Sequence, residues 1–214
     1  MLRDAQVSMS VCVVVPSVPK HTVHLPQLLA SLELQTHRAE RVVVALSETE
    51  AASCASLAAS LAVHTRVPLA LTCIPTRAYA AQNRNRGGAL CTSRLISFID
   101  ADDVMQPERL AVMAELLQRT EADVGYHGWD PGSCCGGVEL SATQLRAMHV
   151  RQRHDRSSPI HFESPFRFHH GHPTLRLGVF KREQQNESEL WRSGQDAEFA
   201  RRLVERGFAV VATD

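Results

Sequence analysis

Short apolar runs alternate with longer amphipathic stretches through the first 120 residues. Four runs are too short for helices and rich in β-favouring residues, so they predict strands at Val11–Val15, Arg41–Leu46, Leu69–Ile74 and Leu95–Asp100. Helical patterns lie between and after them, at Leu25–Leu34, Ala51–Val63, Ala78–Cys91 and from Pro107 to about Arg119. The pair Gly87-Gly88 is expected to weaken the third helix. This alternation predicts an α/β fold with a mostly parallel central sheet covered by helices on both faces.

The pattern changes after residue 120. It predicts strands at Ala122–Trp129, Pro173–Phe180 and Phe208–Ala212, and helices at Ser141–Val150 and Gly194–Arg206. Gly207 is suited to end the last helix. Residues 151–168 are polar and interrupted by proline without periodicity, which is typical of a functional lid or a partly disordered segment.

Composition narrows the class of protein. The 214 residues fit one domain, and 44% hydrophobic residues suffice for a substantial core. Lys and Arg total 23, as do Asp and Glu, which argues against general binding to nucleic acid or anionic membranes. The sequence has neither a membrane-spanning apolar run nor a signal-peptide pattern, so we expect a cytoplasmic protein.

The six cysteines show no CxxC spacing, which disfavours a zinc ribbon. Cys12, Cys54, Cys73 and Cys91 lie in apolar segments and are predicted to be reduced, buried hydrophobic residues. For the loop pair Cys134-Cys135 we favour a reduced surface pair over a redox role.

The fourth predicted strand ends in three acids, Asp100, Asp102 and Asp103. Open α/β sheets bind ligands at the carboxyl ends of their strands, and clustered carboxylates require a compensating charge or hydrogen bonds. Carboxylate oxygens suit Mg²⁺ or Mn²⁺ while leaving coordination positions for phosphate oxygens. The DxD pattern alone is also typical of a solvated turn, but the strand before it and the helix after it favour a metal and phosphate site.

Four segments in order resemble glycosyltransferase family 2 and its GT-A-fold relatives. They are the opening strand Val11–Ser17, the motif Arg84-Asn-Arg-Gly87, the DxD segment Phe98–Leu110, and Gly194–Leu203, which resembles a Gly-Glu-Asp motif. The resemblance spans nearly the whole chain. It implies a single GT-A domain over 1–214, with a nucleotide-binding half (about 1–120) and an acceptor-side half with a small antiparallel extension (about 121–214). The chain is expected to be a piece of a longer protein.

This resemblance implies a metal-dependent transferase that uses a nucleotide-diphosphate sugar, a UDP-hexose for preference, and a hydroxyl acceptor. Asp102 would bind the metal, Asp100 the ribose or the metal, and Asp103 would support them or cap the next helix. Asp196 would be the general base of an inverting displacement, although an acid in the first turn of a helix is also stabilised by the helix dipole.

Further site residues are expected around these acids. Pro16 and Ser17 end the first strand, and Glu48 stands where relatives carry an Asp-Asp-Gly-Ser segment that binds the base. Arg84 is the predicted diphosphate ligand among the nearby arginines. Trp191 is preferred to Trp129 for stacking on a sugar, with a core position as the alternative for either.

Seven of the eleven histidines lie between His127 and His172. We choose His172 as a metal ligand, and imidazole with two carboxylates favours Mn²⁺ over Mg²⁺. Exposed loop histidines and hydrogen bonds to a diphosphate are the alternatives.

Two other functions stay open. A nucleotidyltransferase would usually carry a Gly-rich loop after the first strand, where this chain has Val15-Pro16-Ser17-Val18-Pro19. The altered base loop, and Gln195 where relatives have Glu, leave room for a non-catalytic module that binds nucleotide sugars.

Overall fold

A seven-stranded sheet forms the centre of the protein in the computed structural model, which describes residues 9–127, 172–188 and 195–213. The strands are β1 Val11–Ser17, β2 Arg41–Leu46, β3 Leu69–Cys73, β4 Leu95–Phe98, β5 Val124–His127, β6 Thr174–Arg176 and β7 Val210–Thr213. Their order in the sheet is β3-β2-β1-β4-β6-β5-β7. Strand β6 runs antiparallel to both neighbours, and the other pairs are parallel. The predicted α/β fold with a mostly parallel sheet is confirmed.

Six α-helices flank the sheet in the described part of the chain. They are α1 Leu25–Glu33, α2 Ala51–Leu61, α3 Ala80–Gly88, α4 Arg109–Thr120, α5 Leu177–Arg182 and α6 Gln195–Glu205. Short 3-10 helices at Pro19–His24 and Ala62–His64 precede α1 and follow α2. None of the described helices has both the length and the apolar character needed to cross a membrane.

Two hydrophobic cores cover the two faces of the sheet. Successive side chains of a strand point to opposite faces, so β1 contributes to both cores. Val11, Val13 and Val15 pack with α1 and α4, whereas Cys12 and Val14 pack with α5 and α6. Because both faces are covered, all seven side chains of β1 are buried, and the strand is a continuous apolar run rather than an alternating one.

Several predicted boundaries differ from the observed ones by two or more residues, and two of them bear on the site. Residues 173–180 were expected to form one strand, but the strand ends at Arg176 and helix α5 follows. Val179 and Phe180 are buried there against the α3 side of the sheet, and this packing outweighs their β propensity. The fourth predicted helix starts at Arg109 rather than Pro107. The predicted helix Ser141–Val150 and the segment 151–168 lie outside the described residues.

The prediction of four reduced cysteines is also wrong. The structure joins Cys12 to Cys91 and Cys54 to Cys73 as disulfides. The strands and helices bring the partners to Cα–Cα distances of 5.9 and 6.2 Å, which suit a disulfide. Sequence spacing could not reveal this pairing, because the partners are 79 and 19 residues apart. Cys134 and Cys135 lie outside the described residues.

Candidate active site

The antiparallel strand β6 brings a distant histidine to the acids that follow β4. Ser97 pairs with Thr174, so the residues before β6 meet the residues after β4. The amide of Phe98 donates to the carbonyl of Pro173 at 3.0 Å. The Asp100 amide then donates to His172 Nε2, also at 3.0 Å. The predicted neighbourhood of Asp100 and His172 therefore exists in the fold.

Asp100, Asp103 and His172 form a cluster that we call the acid–imidazole cluster. His172 Nε2 lies 3.0 Å from Asp103 Oδ2 and 3.6 Å from Asp100 Oδ2. One ligand atom from each residue lies within 4.8 Å of the other two, close enough for all three to bind one metal ion. A cation bound at Nε2 would use the lone pair that accepts the Asp100 amide, so metal binding would replace that hydrogen bond. Two carboxylates and an imidazole are a donor set suited to Mn²⁺.

The DxD acid Asp102 lies apart from this cluster. Its Oδ2 atom is 3.3 Å from Nδ1 of His21, in the 3-10 helix before α1. Asp103, expected only to support the site, is the acid that joins Asp100 and His172. A turn closed by the Asp103 amide and the Asp100 carbonyl, 3.2 Å apart, brings these two residues to the same side. The ligand role of Asp102 stays a prediction.

A buried arginine links the cluster to Asp196. Arg84, on α3, donates from Nη2 to Asp100 Oδ1 at 2.7 Å and from Nη1 to Asp196 Oδ1. Its side chain is 1% exposed, whereas those of Asp100 and Asp196 are 32% and 28% exposed. Three residues predicted to be functional from separate motifs are therefore in direct contact.

The ion pairs set the protonation of this group. Burial by itself raises the pKa of Asp100, but the charge of Arg84 and its hydrogen bond to the carboxylate hold that pKa well below its ordinary value. For Arg84, burial lowers the pKa while Asp100 and Asp196 raise it, and the net pKa is above the ordinary value. Asp100 is therefore an anion and Arg84 a cation near neutral pH.

Arg109, a residue that sequence reasoning missed, lies beneath the cluster. Its Nη2 donates to the carbonyls of Phe98 at 2.7 Å and His172 at 3.1 Å, so it ties together the two segments that carry the cluster. Burial lowers the pKa of Arg109, and the nearby charges of Asp103 and Asp100 act in the opposite direction. No sequence signal separates this arginine from an ordinary one at the start of a helix.

The predicted nucleotide side lies at the same edge of the sheet. Ser17 pairs with Leu46, so the ends of β1 and β2 lie side by side, with Glu48 just beyond them. Glu48 is exposed and adopts a left-handed backbone with φ 57°. Asn83 of α3 donates to the Ser17 carbonyl at 3.0 Å and fixes this corner. Pro16, Ser17 and Glu48 are thus close in space, and their contact with a nucleotide stays a prediction.

Several buried polar atoms around Asp196 have no hydrogen-bond partner among the described residues. They are Arg84 Nε, Tyr126 Oη, Gln185 Nε2 and Gln195 Oε1. Burial, followed by the charge of Asp196, raises the pKa of Tyr126 above its ordinary value, so the hydroxyl stays protonated and able to donate. Unpartnered buried polar atoms are rare in folded proteins and are often found at functional sites. The preferred aromatic residue Trp191 and its alternative Trp129 lie outside the described residues.

Fold and site together define a class. A mostly parallel sheet carries acids and an imidazole at the carboxyl end of its central strands, as in α/β proteins that bind ligands at this edge. The chain matches the model of the family described as "Glycosyl transferase family 2" over residues 12–176, and it belongs to that family. The predicted family is confirmed. A comparison with curated proteins gives no match.

Solved structures agree on the fold. S. aureus TarS 1–349 superposes with a TM-score of 0.69 at 19% identity, covering 95% of this chain and 58% of that chain. TarS 1–349 in complex with UDP-GlcNAc gives a TM-score of 0.69 at 17% identity, covering 95% and 56%. The complex of the same fragment with UDP gives 0.69 at 17% identity, covering 95% and 57%. The chain therefore spans a little over half the length of these structures, and the predicted GT-A fold is confirmed.

Proposed function

We propose that this protein transfers a hexose from a UDP-hexose to an acceptor hydroxyl in a metal-dependent reaction that inverts the anomeric centre. The observation that carries the proposal is the acid–imidazole cluster joined through Arg84 to Asp196. The UDP and UDP-GlcNAc complexes of TarS support a UDP-sugar as the sugar donor.

The cluster would hold Mn²⁺, or Mg²⁺ in its place. Asp100 and His172 belong both to the ligand set predicted from the sequence and to the one favoured by geometry. Asp102 is the third ligand in the first set and Asp103 in the second. When bound, the cation would act as a Lewis acid that neutralises charge on the departing diphosphate. Pro16, Ser17 and Glu48 would contact the nucleotide, and Trp191 the sugar.

Asp196 would act as the general base. Its Oδ1 is bound by Arg84, and Oδ2 accepts no hydrogen bond from the described residues. Oδ2 would accept the proton of the acceptor hydroxyl as that oxygen attacks the anomeric carbon. The bond from this carbon to the diphosphate oxygen breaks with its electron pair, and UDP leaves. Attack from the side opposite the diphosphate inverts the configuration.

A screen of nucleotide sugars for UDP release tests the function, with Mn²⁺ present or chelated and with simple sugar acceptors. We expect Mn²⁺-dependent release from at least one UDP-hexose. Binding of UDP and Mn²⁺ by calorimetry without release from any sugar donor would instead favour a non-catalytic binding module.

The role of Asp196 predicts the behaviour of Asp196→Asn. This change keeps the shape of the side chain but removes its basicity, so turnover should fall by about a hundredfold or more while UDP binding changes little. The matched control is Glu205→Gln on the same helix, where the side chain is exposed and pairs only with Arg201 among the described residues. Full activity in Asp196→Asn would refute the base assignment.

The cytoplasmic location expected from the sequence stays a prediction. The two disulfides weigh against it, because reducing compartments keep most thiols free.

A further inference from the structure

The surroundings of Arg84 differ from those expected of a residue that binds a diphosphate. Its guanidinium uses both terminal nitrogens on carboxylates, Asp100 on one side and Asp196 on the other. Nη1 also lies 3.4 Å from Gln185 Oε1. With 1% of the side chain exposed, Arg84 presents almost no surface to a phosphate group.

We propose that Arg84 is a positioning residue that holds Asp196 at a fixed distance and angle from Asp100. The inference rests on the proposed function, in which Asp100 borders the metal and Asp196 is the base. A guanidinium is a rigid planar fork, so two carboxylates bound to its two terminal nitrogens share one defined geometry. A lysine has one charged atom and cannot impose that geometry.

The backbone of Arg84 is itself fixed on both sides. Asn83 binds the Ser17 carbonyl at the end of β1. Asn85 exchanges two hydrogen bonds with the backbone of Gln185, at 2.8 and 2.9 Å. The fork therefore projects from a segment that cannot shift independently of the sheet or of the loop before α6.

The arrangement leaves one oxygen of each carboxylate for chemistry. Arg84 binds Oδ1 of Asp100, whose Oδ2 faces His172. It also binds Oδ1 of Asp196, whose Oδ2 accepts no hydrogen bond from the residues that the structure describes. Because reacting groups must be aligned to well under 1 Å, a loss of this alignment lowers the rate of the chemical step far more than the affinity for substrate.

Charge adds a second effect. The groups facing Arg84 are the anions Asp100 and Asp196, the amide of Gln185 and the nearby phenol of Tyr126. Without the cation, the two carboxylates would repel each other. The positioning role therefore depends on the charge of the guanidinium as well as on its shape.

Arg84→Lys and Arg84→Gln, compared with wild type, test the proposal. The matched control is Arg176→Lys, a half-buried arginine that donates to the Ala122 and Leu117 carbonyls at 2.8 Å and contacts neither carboxylate. For Arg84→Lys we expect kcat to fall about a hundredfold while KM for the sugar donor changes less than about threefold. In Arg84→Gln, which removes the charge as well as the planar fork, kcat should fall at least as far.

A second readout does not need activity. Carbon-13 NMR of the Asp196 carboxyl group should show its signal displaced in both Arg84→Gln and Arg84→Lys, and thermal unfolding reports whether each variant folds. If Arg84→Gln does not fold, the test relies on Arg84→Lys. Its separate effects on kcat and KM then decide. When no sugar donor is turned over, the displacement of its Asp196 carboxyl signal decides instead.

The outcomes separate the two proposals. If the wild-type protein releases UDP and the Arg84 variants lose only affinity for the sugar donor, the positioning role is wrong and the proposed function stands. If the wild-type protein turns over no nucleotide sugar but the Asp196 signal is displaced in both variants, the proposed function is wrong and the positioning role is supported. An Asp196 carboxyl signal that does not move in folded variants would contradict the positioning role.

Discussion

His172 shows how a single side chain connects separate parts of the site. Its Nε2 atom accepts a hydrogen bond from the amide of Asp100 and lies beside Asp103. The whole residue is 2% exposed. Its ring stacks on that of His127 with 6.0 Å between centroids. These contacts hold the imidazole beside the two carboxylates, and a cation that bound Nε2 would replace the Asp100 amide there.

Measurements of Mn²⁺ affinity can decide whether Asp102 or Asp103 is the third metal ligand. We expect Asp103→Ala and His172→Ala each to weaken Mn²⁺ binding by about tenfold or more, because each removes one atom of the acid–imidazole cluster. Calorimetry with Mn²⁺ in the presence of UDP provides the affinity.

The comparison variant is Asp102→Ala, with the exposed Glu115→Gln as a control remote from the cluster. If Asp102→Ala loses Mn²⁺ affinity and Asp103→Ala does not, the ligand set predicted from the sequence is correct and the geometric one is wrong.

At the scale of elements, two glycines of helix α3, Gly87 and Gly88, allow the helix to pack closely against its neighbours. A Cβ added to Gly87 would lie 2.6 Å from Val14 Cγ1 and 3.3 Å from Ala45 Cβ, and one added to Gly88 would meet the ring of Phe180. The helix ends at this pair, with Gly88 as its last residue, as the expected weakening predicts. Close packing against β1 is what allows Arg84 to reach beneath the site.

We predict that Gly87→Ala destabilises the protein by about 1–3 kcal/mol, because the methyl group overpacks the contact with β1. Denaturant unfolding measures the change. The matched control is Gly178→Ala in α5, where an added Cβ meets nothing within 4 Å. It should be neutral or stabilise by up to about 1 kcal/mol, since alanine favours a helix. Equal effects of the two changes would contradict the packing argument.

At the scale of the whole molecule, the disulfides join elements that the sheet alone does not hold together. Cys12 in central strand β1 is bound to Cys91 after α3, and Cys54 in α2 to Cys73 of edge strand β3. The first link reinforces the α3 face of the sheet. The second holds the outermost helix to the edge of the sheet.

Reduction of both disulfides should therefore lower the free energy of unfolding. Chain-entropy arguments give about 3 kcal/mol for the loop of 19 residues and about 4.5 kcal/mol for the loop of 79. Non-reducing peptide mapping should recover both cross-linked pairs, and unfolding with and without reductant measures the loss.

The double variant Cys54→Ser with Cys73→Ser serves as the control for the shorter loop. Its stability should no longer include the contribution of that loop. Free thiols at all four positions in the isolated protein would contradict the pairing.

Sequence reasoning located Asp100, Arg84 and Asp196 because each stands in a motif whose neighbours have a strong local pattern. It chose His172 from a crowded group of histidines, and β6 carries that residue to Asp100. It missed Arg109 and Gln185, which act through contacts with segments 63 to 101 residues away and carry no local pattern. It also gave Asp103 only a supporting role, since the turn that separates it from Asp102 is not visible in the residue types.

The amino-acid sequence by itself determined the strand–helix alternation, the family and the edge of the sheet where the chemistry lies, because apolar periodicity and short motifs depend on neighbouring residues. Only the tertiary structure decided that β6 runs antiparallel, that Asp103 rather than Asp102 meets His172, and that four cysteines pair. The same holds for Arg84, whose two carboxylate partners come from segments 16 and 112 residues away. Such contacts depend on packing between distant segments, where burial and charge are shared among residues that no local pattern connects.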